Sequence, residues 1–181
     1  MVDIPDGVLA VRARRGEAEA YGELVRRYQA AVFNVCYRLL GERGEAEDMA
    51  QETLWRAYQR LDTFNESRPF GPWVRRVAAN LCLNRLQRID RETDLPDDET
   101  GFPAAPLRLA EDRIERREAA ERVRQALLSL SPRARLVIEL RHFEALSYEE
   151  IAADLAMTLS EVRTLLYRAR RTLARRLSID G

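Results

Sequence analysis

Between residues 24 and 39 apolar side chains return every three or four positions: Leu24, Val25, Tyr28, Ala31, Val32, Val35 and Leu39. That is the period of a helix with one buried stripe, and Gly41 and Gly44 are expected to end it. A second helix is expected from about Glu45 to Leu61, with Met49, Thr53, Ala57, Leu54 and Leu61 inward. The stretch "DTFNESRPFGP" then breaks the period with Asn, Ser, Gly and two prolines, the residues of a loop. A third helix is predicted from Pro72, suited to a first turn, to Arg88, with Val74, Val77, Ala78 and Leu81 sharing a face. Residues 90–112 have a different character, mixing acids, prolines and a glycine with little periodicity, as linkers do. Helical spacing resumes from Arg113 to Leu128, again from Ser131 to Phe143, and then in two shorter pieces. Strand signals are almost absent. The expected fold is all-α: two small helical domains, 1–89 and 113–181, joined by a flexible acidic linker, 90–112.

Two helix starts near the C-terminus have a local mechanism. Ser147 with Glu150, and Thr158 with Glu161, have the spacing of capping boxes, so helices should begin near Tyr148 and Leu159. Ala152, Leu155 and Val162 then fall on the inward positions of a helix-turn-helix. On its second helix Val162, Leu166, Ala169, Leu173 and Leu177 share one side. The other side carries Ser160, Thr164, Tyr167, Arg168, Arg171 and Arg175, with Arg163 on the flank. An apolar back with an Arg, Ser and Thr front suits the major groove, where phosphates attract arginine and base edges accept its donors. The competing reading is a solvated basic face; two capped helices at this spacing favour DNA.

The helix "PWVRRVAANLCLNRLQR" aligns Trp73, Arg76, Asn80, Asn84 and Gln87 along a second face, and no acid occurs from Ser67 to Ile89. Such a stripe suits opened DNA: aromatics stack on unpaired bases, amides bond base edges and arginine holds phosphate. Alternatively Trp73 is core and the amides simply face water. The preceding helix has the opposite sign at its start, with Glu45, Glu47, Asp48 and Glu52. Acids favour a helix N-terminus in any case. Asp48, Gln51, Glu52 and Trp55 also share one side, which would repel DNA and suits a basic protein surface.

Composition narrows the field. The chain has 181 residues, 46% of them hydrophobic, and 30 basic residues balanced by 30 acids, so any electrostatic role follows from placement. Cys36 and Cys82 lie far apart in apolar stretches and match neither a metal spacing nor a redox pair; buried thiols are expected. No run reaches the ~18 apolar residues of a membrane span, and the first sixteen residues lack a signal peptide's apolar core, so a cytoplasmic location is expected. His142 is the only histidine and sits beside Arg141, with no nucleophile and base pair in view. The chain is not expected to be an enzyme.

Taken together these segments resemble an RNA polymerase sigma factor of the extracytoplasmic-function (ECF) group. "YGELVRRYQAAVFNVCYRLLG" resembles the start of sigma region two. "EAEDMAQETLWRAYQRLDTF" is similar to its polymerase-docking helix, and "PFGPWVRRVAANLCLNRLQR" to its promoter-melting helix. The segment from Leu130 to Leu177 resembles sigma region four.

The resemblance implies partners and roles. Asp48, Gln51, Glu52 and Trp55 would bind core RNA polymerase. Trp73, Arg76, Asn80, Asn84 and Gln87, with Asn65, Ser67, Arg68 and Phe70 of the loop, would melt and read the minus-ten element. The loop would capture one flipped base. Ser160, Arg163, Thr164, Tyr167, Arg168, Arg171 and Arg175 would read the minus-thirty-five element as duplex. An anti-sigma factor is an expected partner and a possible route to the membrane; no cofactor, metal or small-molecule substrate is implied. Ala156 stands where a turn glycine is usual, Ser160 and Glu161 replace a frequent Gly-Thr pair, Leu165 replaces a frequent Arg, and "RPFGPW" carries two prolines where a Ser or Thr turn is commoner. These departures bear on promoter sequence. The alternatives are an operator-binding regulator using only the helix-turn-helix, and a decoy that sequesters an anti-sigma factor without initiating.

Overall fold

The computed structural model describes residues 4–92 and 111–179, in which every regular element is a helix. The chain divides into two units, Met1–Asn84 and Arg85–Gly181. The remainder of the expected linker, residues 93–110, lies outside the described residues; 90–92 continue α4 and 111–112 open α5.

The first unit holds α1 (Asp6–Arg14), α2 (Ala18–Leu40), α3 (Arg43–Gln59), a 3-10 turn (Leu61–Thr63) and the larger part of α4 (Phe70–Glu92). Helix α2 buries Leu24, Val32, Val35, Cys36 and Leu39 and stops where Gly41 turns left-handed at φ 84°, a conformation that an L side chain resists. The α3 face turned inward is made of small residues, Ala46, Ala50, Thr53 and Ala57, which allow α2 and α3 to pack closely. Gly44 does not end a helix. It lies inside α3, which starts two residues earlier than its periodicity suggests because the Glu42 carboxylate accepts the Gly44 and Glu45 amides, at 2.8 and 2.6 Å. Helix α4 likewise starts at Phe70, ahead of Pro72, and buries Val74, Ala78, Ala79 and Cys82.

Helix α1 was not expected from periodicity. It buries Leu9, Ala10 and Ala13 and packs on α2. Its Asp6 accepts hydrogen bonds from Arg27 Nη1 at 2.9 Å and from the Tyr28 hydroxyl.

The second unit contains α5 (Glu111–Leu128), α6 (Pro132–Ile138), α7 (Tyr148–Leu155) and α8 (Leu159–Ile179). The helix expected from Ser131 to Phe143 changes character at Glu139, where one π-helical turn runs to Phe143. Arg135, buried here, donates to the carbonyls of Leu127, Leu128 and Leu130, closing the C-terminal end of α5. Helix α8 packs on α5, α6 and α7, with Val162, Leu166 and Ala169 at most 1% exposed. Cys36 and Cys82 are both buried free thiols.

Candidate nucleic-acid interface

Helix α8 starts at the turn that follows α7. Ala156 closes α7 in the left-handed region, φ 50° and ψ 46°. Thr158 then opens α8: its hydroxyl accepts the Glu161 amide at 3.2 Å, while the Glu161 carboxylate accepts the Thr158 amide at 2.7 Å. The earlier start is built alike, with Ser147 and Glu150 capping each other reciprocally. Bonds from the Thr158 backbone and hydroxyl hold the Glu161 carboxyl below its usual value, so the only acid on α8 is engaged in its own cap.

With Val162, Leu166 and Ala169 fixed inward, helical geometry sends Ser160, Arg163, Thr164, Tyr167, Arg168, Arg171 and Arg175 outward within about 140° of arc. All seven are exposed. Tyr167 is 66% exposed, the largest exposure among the exposed large hydrophobic side chains of the described residues. Arg170 lies to the side, its Nε donating to His142 Nε2 at 3.4 Å. Burial first, then Arg170 and Arg141, lowers the His142 pKa, which favours the neutral ring as an acceptor. Leu177 was expected on the apolar side, yet it is 42% exposed because α8 extends past the rest of the core there.

On α4 the stripe divides in two. Arg76, Asn80 and Gln87 are half-buried and Asn84 is exposed, so this edge reaches the surface. Trp73 is half-buried, its ring 5.2 Å from Phe64 and 5.3 Å from Phe70. Phe70, expected to touch DNA, is 1% exposed. Its ring lies against Tyr28, Phe64 and Trp73, all at 5.3 Å, so it supports the loop from beneath and does not present itself to a ligand. Asn65, Ser67 and Arg68 are exposed. Asn65 Oδ1 accepts the Ser67 amide at 2.9 Å and the Asn65 carbonyl accepts the Arg68 amide at 3.0 Å, a turn that holds Ser67 and Arg68 at the tip.

Helix α3 offers the third surface. Asp48 and Gln51 are exposed, and Glu52 is half-buried and paired with Arg56 at 2.5 Å. Trp55 is 58% exposed beside Tyr58, which packs on Tyr21 at 4.8 Å between ring centres. Tyr21 in turn donates to the Leu54 carbonyl at 2.5 Å, fixing the aromatic base under this acidic edge.

Sequence reasoning passed over the residues of α1 that touch the loop. Arg14 pairs with Glu66 at 2.7 Å across 52 positions of chain, and a Cβ on Gly7 would come within 2.6 Å of the Glu66 carbonyl oxygen. Pro5 followed by Asp6 is the local mark of a helix start that points to α1; nothing local points to Glu66. Among the described residues no group of three or more His, Cys, Asp or Glu is placed to hold a metal, and no helix is long and apolar enough to cross a membrane.

The family model described as sigma-70 region 2 matches residues 24–92, and that described as sigma-70 region 4 matches residues 120–173. The chain is 30% identical over 174 residues to the ECF RNA polymerase sigma factor SigW of Bacillus subtilis, across 92% of this chain and 93% of that one. It is 31% identical over 178 residues to the ECF RNA polymerase sigma-E factor of Escherichia coli, across 94% and 93% of the two. Among solved structures it is similar to CnrH in complex with the cytosolic domain of CnrY, with TM-score 0.64 and 28% identity, covering 98% of this chain and 100% of that one. The sigma factor RpoE of Bartonella quintana, solved with the anti-sigma factor NepR, shares the fold at TM-score 0.62 and 22% identity, over 89% and 98%.

Proposed function

Because the chain belongs to the ECF group of RNA polymerase sigma factors, it acts in promoter-specific transcription initiation, and we propose that it divides this work among the three surfaces described. Helix α8 binds the minus-thirty-five element as duplex: Arg163, Arg168, Arg171 and Arg175 meet phosphates and base edges, with Ser160, Thr164 and Tyr167 between them. The α4 edge, Arg76, Asn80, Asn84 and Gln87 with Trp73 at its head, holds the opened minus-ten strand. Ser67 and Arg68 at the loop tip, on the turn made by Asn65, take a flipped base. Phe70 has no contact role in this reading; it holds the aromatic floor. Asp48, Gln51, Glu52 and Trp55 dock core RNA polymerase, in which the bond-forming chemistry resides. Each contact can be weak, because two units on one polymerase raise each other's effective concentration. A protein that covers these faces is the proposed anti-sigma partner; RpoE of Bartonella quintana was solved with the anti-sigma factor NepR.

One observation carries the reading: seven polar and basic side chains on an exposed arc of α8, with the helix's only acid bonded to Thr158 in the cap. Run-off transcription with core polymerase of the same organism tests it, comparing wild type, Asn80→Ala and Arg168→Ala on linear and pre-melted templates. Wild type should initiate at a defined start, and pre-melting should rescue Asn80→Ala but not Arg168→Ala. Duplex binding without initiation would return the chain to the operator-binding or decoy alternative.

A further inference from the structure

Two residues of α1 spaced seven apart touch one residue of the loop, and they hold it in different ways. Gly7 meets its backbone: any Cβ there would lie 2.6 Å from the Glu66 carbonyl oxygen and 3.5 Å from the Glu66 Cβ, so only glycine admits the loop at this distance. Arg14, two helical turns on and on the same face, meets its side chain, Nη2 to Oε2 at 2.7 Å. The same helix also reaches the other end of the loop. Asp6 accepts from Tyr28, the Tyr28 ring packs 5.3 Å from Phe70, and Gly71 leaves room for that ring, since a Cβ there would fall 2.8 Å from Tyr28 Cε1. Asn65, Ser67 and Arg68 remain exposed between these anchors.

An isolated exposed ion pair adds little to stability. A backbone contact too close for a methyl group, a pair to the same residue and an aromatic link to the loop's far end together form a positioning device. We infer that α1 is a clamp for the 65–69 loop, with Gly7, Arg14 and Asp6 as positioning residues that set how sharply Ser67 and Arg68 discriminate the base they take. The inference rests on the reading of that loop as the base-capturing element. It adds that discrimination at one promoter position is set by a helix outside the residues proposed to contact DNA.

The test uses the full chain with core polymerase on a promoter selected by wild type from a randomised library, and then on templates substituted singly through both elements. Arg14→Glu and Glu66→Arg should each lower discrimination at one position of the melted strand by about three- to tenfold. The double variant Arg14→Glu with Glu66→Arg should restore it. Discrimination within the minus-thirty-five element, and the melting temperature followed by circular dichroism, should stay at wild-type values in all three. Gly7→Ala should show the same single-position loss; if it does not fold, the charge-exchange set still decides. Singles that discriminate as wild type does, or a double that fails to recover, overturn the clamp and leave the proposed function standing. Wild type that initiates without preference at any melted position overturns the base-capture reading and the clamp together; wild type that never initiates overturns the proposed function itself.

Discussion

Phe70 and Trp73 stand one helical turn apart, yet they have different surroundings. Phe70 closes the aromatic group of Tyr28, Phe64 and Trp73, and Phe70→Ala should cost about 3–5 kcal/mol, read by denaturant unfolding of the first unit. A second residue-level effect concerns protons. Burial first, and for Tyr28 also its bond to Asp6, pushes the Tyr21 and Tyr28 phenols up to about 12. The folded chain therefore holds these protons more tightly than the unfolded one. Their contribution is fully present below about pH 10 and is lost as pH rises through about 12. Phenolate absorbance should show two tyrosines titrating near the upper value, and Tyr28→Phe should remove one of them. The α4 stripe was legible because helical spacing alone aligns Asn80, Asn84 and Gln87. Which rings lie beneath it was not, because Phe70 is buried by Tyr28, forty-two positions earlier in the chain.

Among the elements, α8 is the one whose limits were most legible, and the reason is local. A capping box spans four residues and needs no distant partner, so Ser147 with Glu150 and Thr158 with Glu161 mark the starts of α7 and α8 where the structure has them. Thr158→Ala should cost about 1 kcal/mol in the second unit. The Glu161 carboxyl lies below its ordinary value, so its share of the cap is present above about pH 4 and is lost as pH falls through the folded value. The turn before it holds an opposite opportunity. Ala156 sits at φ 50°, where a Cβ is strained, so Ala156→Gly should raise stability by about 1 kcal/mol in a thermal melt. Helix α1 shows the limit of local signals. Its apolar stripe is narrow, Leu9, Ala10 and Ala13, and what fixes it lies elsewhere: Arg27 and Tyr28 on α2 for Asp6, and Glu66 for Arg14.

For the whole molecule, thirty arginines and thirty acids cancel in sum and not in place. If α8 binds duplex as proposed, with Arg171 on a phosphate, Arg171→Ala should lower the salt dependence of duplex binding by about 0.9 in log–log slope, measured by fluorescence anisotropy. Neutralising Asp94, Asp97, Asp98 and Glu99 of the linker should raise duplex binding by the free protein if those acids cover a basic face; unchanged binding removes that form of self-inhibition. The two thiols add something of a different kind. Cys36 and Cys82 have no solvent-accessible surface and both belong to the first unit, so a maleimide has nothing to alkylate until that unit opens. The chain thus carries its own stopwatch for breathing of the first unit. In a labelling reaction short compared with that opening, a single cysteine placed at an exposed α8 position such as Arg175 would take a fluorophore ahead of the two buried thiols.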